Sequence, residues 1–264
     1  IQIGGPKILT EVLQGGILSN NKGINLRGGG LSASALTEKD KRDILTAAKA
    51  DADYVAISFP IHADDIRETK RLLKEAGSNA SVIAKIERAE ALQEDVINEI
   101  IQESAGIMVA RGDLGVEIPM QDVPLIQKDI IKRCRKLSKP VIIATQMMES
   151  MIINFAPTRA EVNDVANAVM DGADAVMLSG ETSVGNHPIE VIKAMAKIIN
   201  EVESIEDIYH KEELPENNQD RFITDSICFN AARLAQRVSA AGIITMTFSG
   251  YTAFKISSKR PRAN

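Results

Sequence analysis

The 264-residue sequence contains no tryptophan, and its aromatic content is only 3%. A core must therefore be built from Ile, Val, Leu, Met and Ala, and the stacking platforms on which proteins hold single-stranded nucleic acid are scarce. Basic charge is not in surplus either: 31 Lys and Arg against 36 Asp and Glu leave a net charge of −5. That balance argues against a nucleic-acid partner, whose binding rests on clustered cations, but leaves room for a small phosphorylated ligand at a local positive site. Cysteine is limited to Cys134 and Cys228. They lie far apart without metal-ligand spacing, so reduced, buried thiols are expected rather than a disulfide framework. The histidines His62, His187 and His210 form no motif and are expected at the surface. No apolar run approaches the ~18 residues of a membrane span, and no leader pattern is visible. The expectation is a soluble cytoplasmic protein without a membrane partner.

What is present is an alternation. Short β-branched runs at residues 54–58, 82–86, 107–110, 141–145 and 175–179 predict strands, and longer amphipathic stretches between them predict helices. The clearest helix is expected over residues 157–171. There Thr158 and Glu161 have capping-box spacing, Val162, Val165, Ala166 and Val169 form an apolar face, and Gly172 is a stop signal. Apolar strands separated by helices indicate a parallel sheet covered on its faces. The spacing suits an open doubly wound sheet and a barrel equally. Ser58, Lys85 with Glu87, Arg111 with Asp113, Thr145, and Ser179 with Glu181 all fall at or just past strand C-termini. A barrel gathers such ends around one mouth, whereas an open sheet spreads them along an edge. The expected fold is therefore α/β, a (β/α)8 TIM-type barrel. Five strands cannot close an eight-stranded barrel, so the barrel is expected to be incomplete in this chain. Residues 1–35 are glycine-rich and read as strand fragments and turns, and residues 204–218 as an acidic linker. A helix over about 221–238 and a strand at 242–247 then predict the start of a C-terminal α/β domain.

The chemistry is concentrated in two segments. In Val82-Ile83-Ala84-Lys85-Ile86-Glu87-Arg88, residues two apart on a strand face the same way, so Lys85 and Glu87 both point into the mouth. The next strand delivers Ala110-Arg111-Gly112-Asp113. Neighbouring strands lie ~5 Å apart, which lets Asp113 and Glu87 share one hard divalent cation with positions left open for substrate oxygens. Gly112 lets the backbone approach a substrate, with N–H groups available to a carboxylate. The plain alternatives are a Lys-x-Glu surface ion pair and a tight turn at 111–113. The apolar flanks of Lys85–Glu87 and its place at a strand end favour a metal site.

These residues carry a resemblance. Residues 81–92 resemble the active-site signature of the pyruvate kinase family, with Lys85 at the phosphoryl-transfer lysine and Glu87 at a Mg²⁺ (or Mn²⁺) ligand. Residues 107–117 resemble the second metal segment, with Asp113 as ligand and Ala110, Arg111 and Gly112 against substrate. Ala144-Thr145-Gln146-Met147-Met148-Glu149-Ser150-Met151 is similar to the segment whose threonine lies beside the enolate, and residues 158–185 follow the family in order. Upstream, Lys22 in Asn20-Asn21-Lys22-Gly23-Ile24-Asn25 matches a lysine that contacts nucleotide phosphate. Near the end, Thr247, Ser249, Gly250 and Thr252 resemble a loop that binds sugar-phosphate effectors. The resemblance spans about residues 15–264.

The resemblance implies a glycolytic, allosteric phosphotransferase that converts phosphoenolpyruvate and ADP to pyruvate and ATP, needs Mg²⁺ and K⁺, and assembles as a homotetramer. It divides the chain into residues 1–30 (barrel strand and lid return), 31–205 (catalytic barrel) and 206–264 (start of the regulatory domain). Departures are local. Gln2 and Leu9 stand where the family strand has Asp and Arg, few residues separate that strand from Gly15-Gly16 where the family has a lid domain, and the segments that bring the K⁺ site have no counterpart. Two rivals stay open: a Mg²⁺-dependent aldolase or lyase working through a pyruvate enolate, which needs neither Lys85 at a phosphoryl group nor Lys22, and a non-catalytic phosphoenolpyruvate-binding remnant.

Overall fold

The computed structural model of the chain describes residues 2–4, 7–13, 15–16, 28, 35–205 and 220–263. Lys22, His210 and nearly all of the expected linker at 204–218 lie outside the described residues. Two short strands, β1 (Gln2–Gly4) and β2 (Lys7–Leu9), pair antiparallel with Gly4 opposite Lys7. The main sheet has five parallel strands, β3 (Tyr54–Ile57), β4 (Ser81–Ile86), β5 (Gly106–Ala110), β6 (Val141–Ala144) and β7 (Ala175–Met177), adjacent in chain order. Helices alternate with them: α1 (Glu38–Lys49), α2 (Ala63–Glu75), α3 (Glu94–Glu103), α4 (Arg111–Glu117), α5 (Val123–Lys136), α6 (Arg159–Asp171), α7 (Gly180–Ser183) and α8 (Pro188–Glu203).

The strand order decides between the two sheet types. A doubly wound sheet reverses direction at a switch point, whereas right-handed crossovers that always advance to the next strand put every helix on one face. Burial agrees with the second arrangement. Val82, Ala84, Ile86, Ile107, Val109, Val141 and Ile143 share the helix-covered face and are at most 1% exposed. On the opposite face Ser81, Ile83 and Lys85 are only half-buried, and Tyr54 on the edge strand is exposed. The sheet is thus an arc of an α/β barrel, with a covered convex side and a concave side less covered toward its edges. Ile66 and Leu73 of α2, Ile97, Ile100 and Ile101 of α3, and Ile130 and Ile131 of α5 complete the core. Each such burial contributes about 1.5–3 kcal/mol. Cys134 of α5 lies in this core, where burial pushes its thiol up to about 12, and Cys228 is also buried and free.

Helix α6 shows how local sequence sets an element. Thr158 caps it, its hydroxyl accepting from the Glu161 N–H at 3.2 Å while the Glu161 carboxylate accepts from the Thr158 N–H at 2.7 Å. Gly172 ends it in the left-handed region at φ 102°. The buried face is Val165 and Ala168, while Val162, expected in that face, is exposed. Glu161 also accepts from the N–H and hydroxyl of Ser150 at 2.7 and 2.6 Å, fastening α6 to the turn that follows β6. Burial pushes its carboxyl upward, but the bonds from Ser150 and Thr158 together outweigh that and hold it below the usual range. A depressed carboxyl stabilises the fold above its unfolded pKa, near 4.3, and loses that contribution as pH falls through its folded pKa. Glu161→Gln should therefore cost about 1 kcal/mol at pH 7, and thermal unfolding of mutant and wild type should converge as pH drops below about 4. A gap that stays constant with pH would refute the ionised role.

One sequence expectation is corrected, and one plain alternative is set aside. Residues 242–247 form no strand: Ile244 and Met246 are almost fully exposed, and no neighbouring strand among the described residues offers a hydrogen-bond ladder. A strand exists only through pairing, so β-branched composition alone does not make one. Arg111-Gly112-Asp113 is not a turn but the start of α4, whose first turn places the acidic Asp113 at the positive end of the helix dipole. The expected helix near 221–238 is present as α9 (Phe222–Arg237), followed by α10 (Tyr251–Ser257). Buried Asp225 holds these two together, accepting from the Tyr251 hydroxyl at 2.7 Å and pairing with Lys255 at 3.1 Å. Arg260 then grips Asp174 with two bonds of 2.6 Å, tying the segment after α10 to the N-terminal end of the barrel strands.

Candidate active site

The polar residues that end the five strands lie at the C-terminal ends of adjacent parallel strands, and three of the four neighbouring pairs are joined by hydrogen bonds. Between β3 and β4, Lys85 Nζ donates to Ser58 Oγ at 2.8 Å, and the Phe59 N–H donates to Glu87 Oε2 at 2.8 Å. Between β5 and β6, the Gly112 N–H donates to Thr145 Oγ1 at 2.7 Å. Between the β6 and β7 ends, buried Glu181 accepts from the Met148 N–H at 3.3 Å and the Ser179 N–H at 2.7 Å. Three residues of this rim have left-handed backbone. Phe59, Thr145 and Gln146 have φ of 57°, 69° and 53°, a region that a β-branched threonine rarely enters.

Lys85 and Glu87 form the centre. Glu87 is 1% exposed, and Lys85 Nζ lies 2.6 Å from its Oε1. Oε1 is thus ion-paired with the ammonium, while Oε2 accepts from the Phe59 N–H. Burial pushes the Glu87 carboxyl up; Lys85 and the Phe59 N–H pull it down, and the charge of Asp113 adds a smaller upward push. Asp113 is therefore near enough for its charge to be felt at Glu87. A buried carboxylate within reach of the charge of a second one suits a hard cation that takes few protein ligands and keeps oxygen positions free. Among the described residues no cluster of three or more His, Cys, Asp and Glu forms a fuller cage.

Two residues expected against substrate also make contacts within the protein. The Arg111 side chain is 11% exposed and occupied: it pairs with Asp164 of α6 at 2.7 Å and donates to the carbonyls of Thr145 at 2.8 Å and Gln146 at 3.2 Å. A planar guanidinium satisfies several acceptors at once, and the strained turn after β6 presents two carbonyls to it. The Gly112 N–H, expected to be available to a carboxylate, is taken by Thr145. A Cβ at Gly112 would stand 3.3 Å from Thr145 Oγ1, so that hydroxyl would have to shift by a few tenths of an ångström. Thr145 also donates to the Ala144 carbonyl at 2.6 Å, so its hydroxyl is a fixed, half-buried group within the rim. Ala110, the residue before α4, is buried. Thr247, Ser249, Gly250 and Thr252 lie away from this rim, at the exposed bend and first turn of α10, with Gly250 in the left-handed region at φ 80°. His62 is the exposed N-cap of α2, and His187 is half-buried, edge-on to Phe155 at 5.4 Å.

The sequence reading did not single out the support beneath the site. Arg88 and Glu117 are each 4% exposed, 3.8 Å apart, and Glu117 Oε2 accepts the Ala89 N–H at 2.9 Å, bracing the chain just past Glu87. The one signal was Arg88 beside Glu87, but its partner lies on another element. Gly185 is a second such support. A Cβ there would collide with the Glu181 carbonyl group and stand 3.3 Å from Ile152 Cα, all backbone. Gly185→Ala should destabilise the protein by about 2–3 kcal/mol and disturb Glu181. A melting temperature within a degree of wild type would show that this packing is not as tight as described.

The sequence pattern of the pyruvate kinase barrel domain matches residues 2–192. Over 260 residues the chain is 53% identical to a pyruvate kinase of Buchnera aphidicola subsp. Schizaphis graminum, covering 97% of this chain and 54% of that protein. It is 51% identical to pyruvate kinase II of Salmonella typhimurium over 261 residues, with the same coverage, and 45% identical to a pyruvate kinase of Geobacillus stearothermophilus over 260 residues, 44% of that protein. The chain spans about half the length of the curated relatives it matches.

Proposed function

The chain belongs to the pyruvate kinase family, and from that premise we propose that the protein it comes from transfers the phosphoryl group of phosphoenolpyruvate to ADP, giving pyruvate and ATP. The observation that carries this reading is the buried carboxylate of Glu87, ion-paired with the Lys85 ammonium at 2.6 Å and within reach of the charge of Asp113. Glu87 and Asp113 are the groups that would hold Mg²⁺ or Mn²⁺. Bound there, the ion supplies Lewis-acid stabilisation to the oxygen that becomes the enolate. Lys85 places a positive charge beside the transferring phosphoryl, whose reaction needs positioning and charge stabilisation more than covalent help. The bond from phosphorus to the enolate oxygen breaks, a bond to the terminal ADP oxygen forms, and the enolate takes a proton on carbon. Thr145, fixed by Gly112 and Ala144, lies on the next strand end and serves to position that protonation. Ala110 to Asp113 line the substrate through their backbone, and Lys22 contacts nucleotide phosphate. The need for K⁺, a sugar-phosphate effector at Thr247, Ser249, Gly250 and Thr252, a homotetramer, and the division at residues 30 and 205 belong to the same proposal and rest on the family resemblance.

The test is ATP formation by the full-length protein from phosphoenolpyruvate and ADP with Mg²⁺ and K⁺. Turnover abolished by a chelator and restored by Mg²⁺ is expected. Binding of phosphoenolpyruvate without turnover would favour the non-catalytic reading, and carbon–carbon cleavage to pyruvate without ATP would favour the aldolase or lyase.

A further inference from the structure

We infer that Ser58 is a positioning residue for Lys85, a neutral anchor that keeps the ammonium at the rim when Glu87 is engaged elsewhere. The inference rests on the phosphoryl-transfer reading of the same site. The turn that ends β3 reaches β4 through two groups on successive residues. The Ser58 hydroxyl accepts from Lys85 Nζ at 2.8 Å, and the Phe59 N–H donates to Glu87 Oε2 at 2.8 Å. The two contacts are compatible only because Phe59 adopts φ 57°, which turns the chain sharply at the strand end. Left-handed backbone at a non-glycine residue costs about 1–3 kcal/mol and persists where surrounding contacts over-determine it. Here those contacts are the lysine and the carboxylate of the neighbouring strand.

The need for a second anchor follows from charge. With Glu87 unengaged, Lys85 has a carboxylate oxygen 2.6 Å away. A cation taking that oxygen would repel the ammonium, and a half-buried lysine with four rotatable bonds would swing toward solvent unless another acceptor held it. Ser58 is that acceptor. Its oxygen is uncharged, so it does not neutralise the charge that Lys85 must present to a phosphoryl group. It also comes from a different strand than Glu87, so the ammonium is held from the β3 side by a group that is not one of the candidate cation ligands.

The experiment compares Ser58→Ala and Ser58→Thr in the full-length protein. Loss of the hydroxyl should lower kcat for ATP formation about tenfold, with KM for phosphoenolpyruvate and Mn²⁺ affinity within twofold of wild type, and threonine, which keeps an acceptor at the same Cβ, should restore most of kcat. A crystal structure of the metal-free Ser58→Ala protein should show Nζ moved by more than 1 Å, either into hydrogen-bond geometry with Glu87 Oε1 or out to solvent. Unchanged kcat in Ser58→Ala, or an equal loss of kcat and thermal stability that threonine does not recover, would overturn the inference. If the wild-type protein makes no ATP, the functional reading fails by itself, and the position of Nζ in the metal-free variant still decides whether Ser58 is the anchor.

Discussion

Replacing Lys85 by methionine in the full-length protein should lower the turnover of ATP formation about a thousandfold, which is about 4 kcal/mol of transition-state stabilisation. The magnitude follows from removing a single preorganised charge at a phosphoryl group in a site shielded from water, where such groups contribute 10²–10⁵ in rate. Methionine preserves the length and most of the volume of the side chain, so the half-buried stem of Lys85 still packs. The loss should fall on kcat, because the ammonium acts on charge that grows in the transition state rather than on ground-state affinity. Divalent-cation binding, measured with Mn²⁺ by electron paramagnetic resonance, should remain within about threefold, since Lys85 is not among the oxygen groups that suit such an ion. Normal ATP formation by Lys85→Met would end the assigned role. Loss of Mn²⁺ binding together with activity would show that the lysine supports the acidic pair rather than the phosphoryl group.

Arg111→Met should be the most damaging substitution outside the reacting groups, costing about 3 kcal/mol and lowering the melting temperature by roughly 6–12 °C. Arg111 is 11% exposed, pairs with Asp164 at 2.7 Å and satisfies the carbonyls of Thr145 and Gln146. Truncating it leaves a carboxylate on α6 and two carbonyls in the β6 turn without their main donor. The lower end of the range for broken buried pairs applies because Asp164 keeps 33% of its side chain exposed. The consequence reaches the chemistry, since Thr145 and Gln146 hold left-handed backbone that the guanidinium stabilises. Turnover should therefore fall even where the protein remains folded. Arg111→Lys should rescue little, because an ammonium cannot reproduce the planar fork that serves acceptors on two elements. A loss of stability under 1 kcal/mol, with kcat unchanged, would show that the clamp does not hold the turn.

The elements that sequence read well are those whose cause is local. All five parallel strands appear within a few residues of their expected limits, because runs such as Ile107 to Ala110 have no polar group to offer solvent and so mark strands buried on both faces. The α6 cap was legible because Thr158 and Glu161 act on each other three residues apart. The failed strand at 242–247 has the same kind of composition, but its partner was never in the local sequence. Arg111 illustrates the limit at the site. Its position beside Asp113 marked it as important, and only the packing of α6 against β6 showed that its charge is consumed within the protein.

The sequence by itself determined the alternation of strands and helices and the face on which Lys85 and Glu87 lie, because strand periodicity is a property of neighbours along the chain. The tertiary structure alone decided that the sheet advances without reversing, that Glu87 is buried, and which polar groups are spent on one another. Those outcomes depend on strands and helices separated by tens of residues coming within hydrogen-bonding distance. No reading of spacing along the chain contains that information.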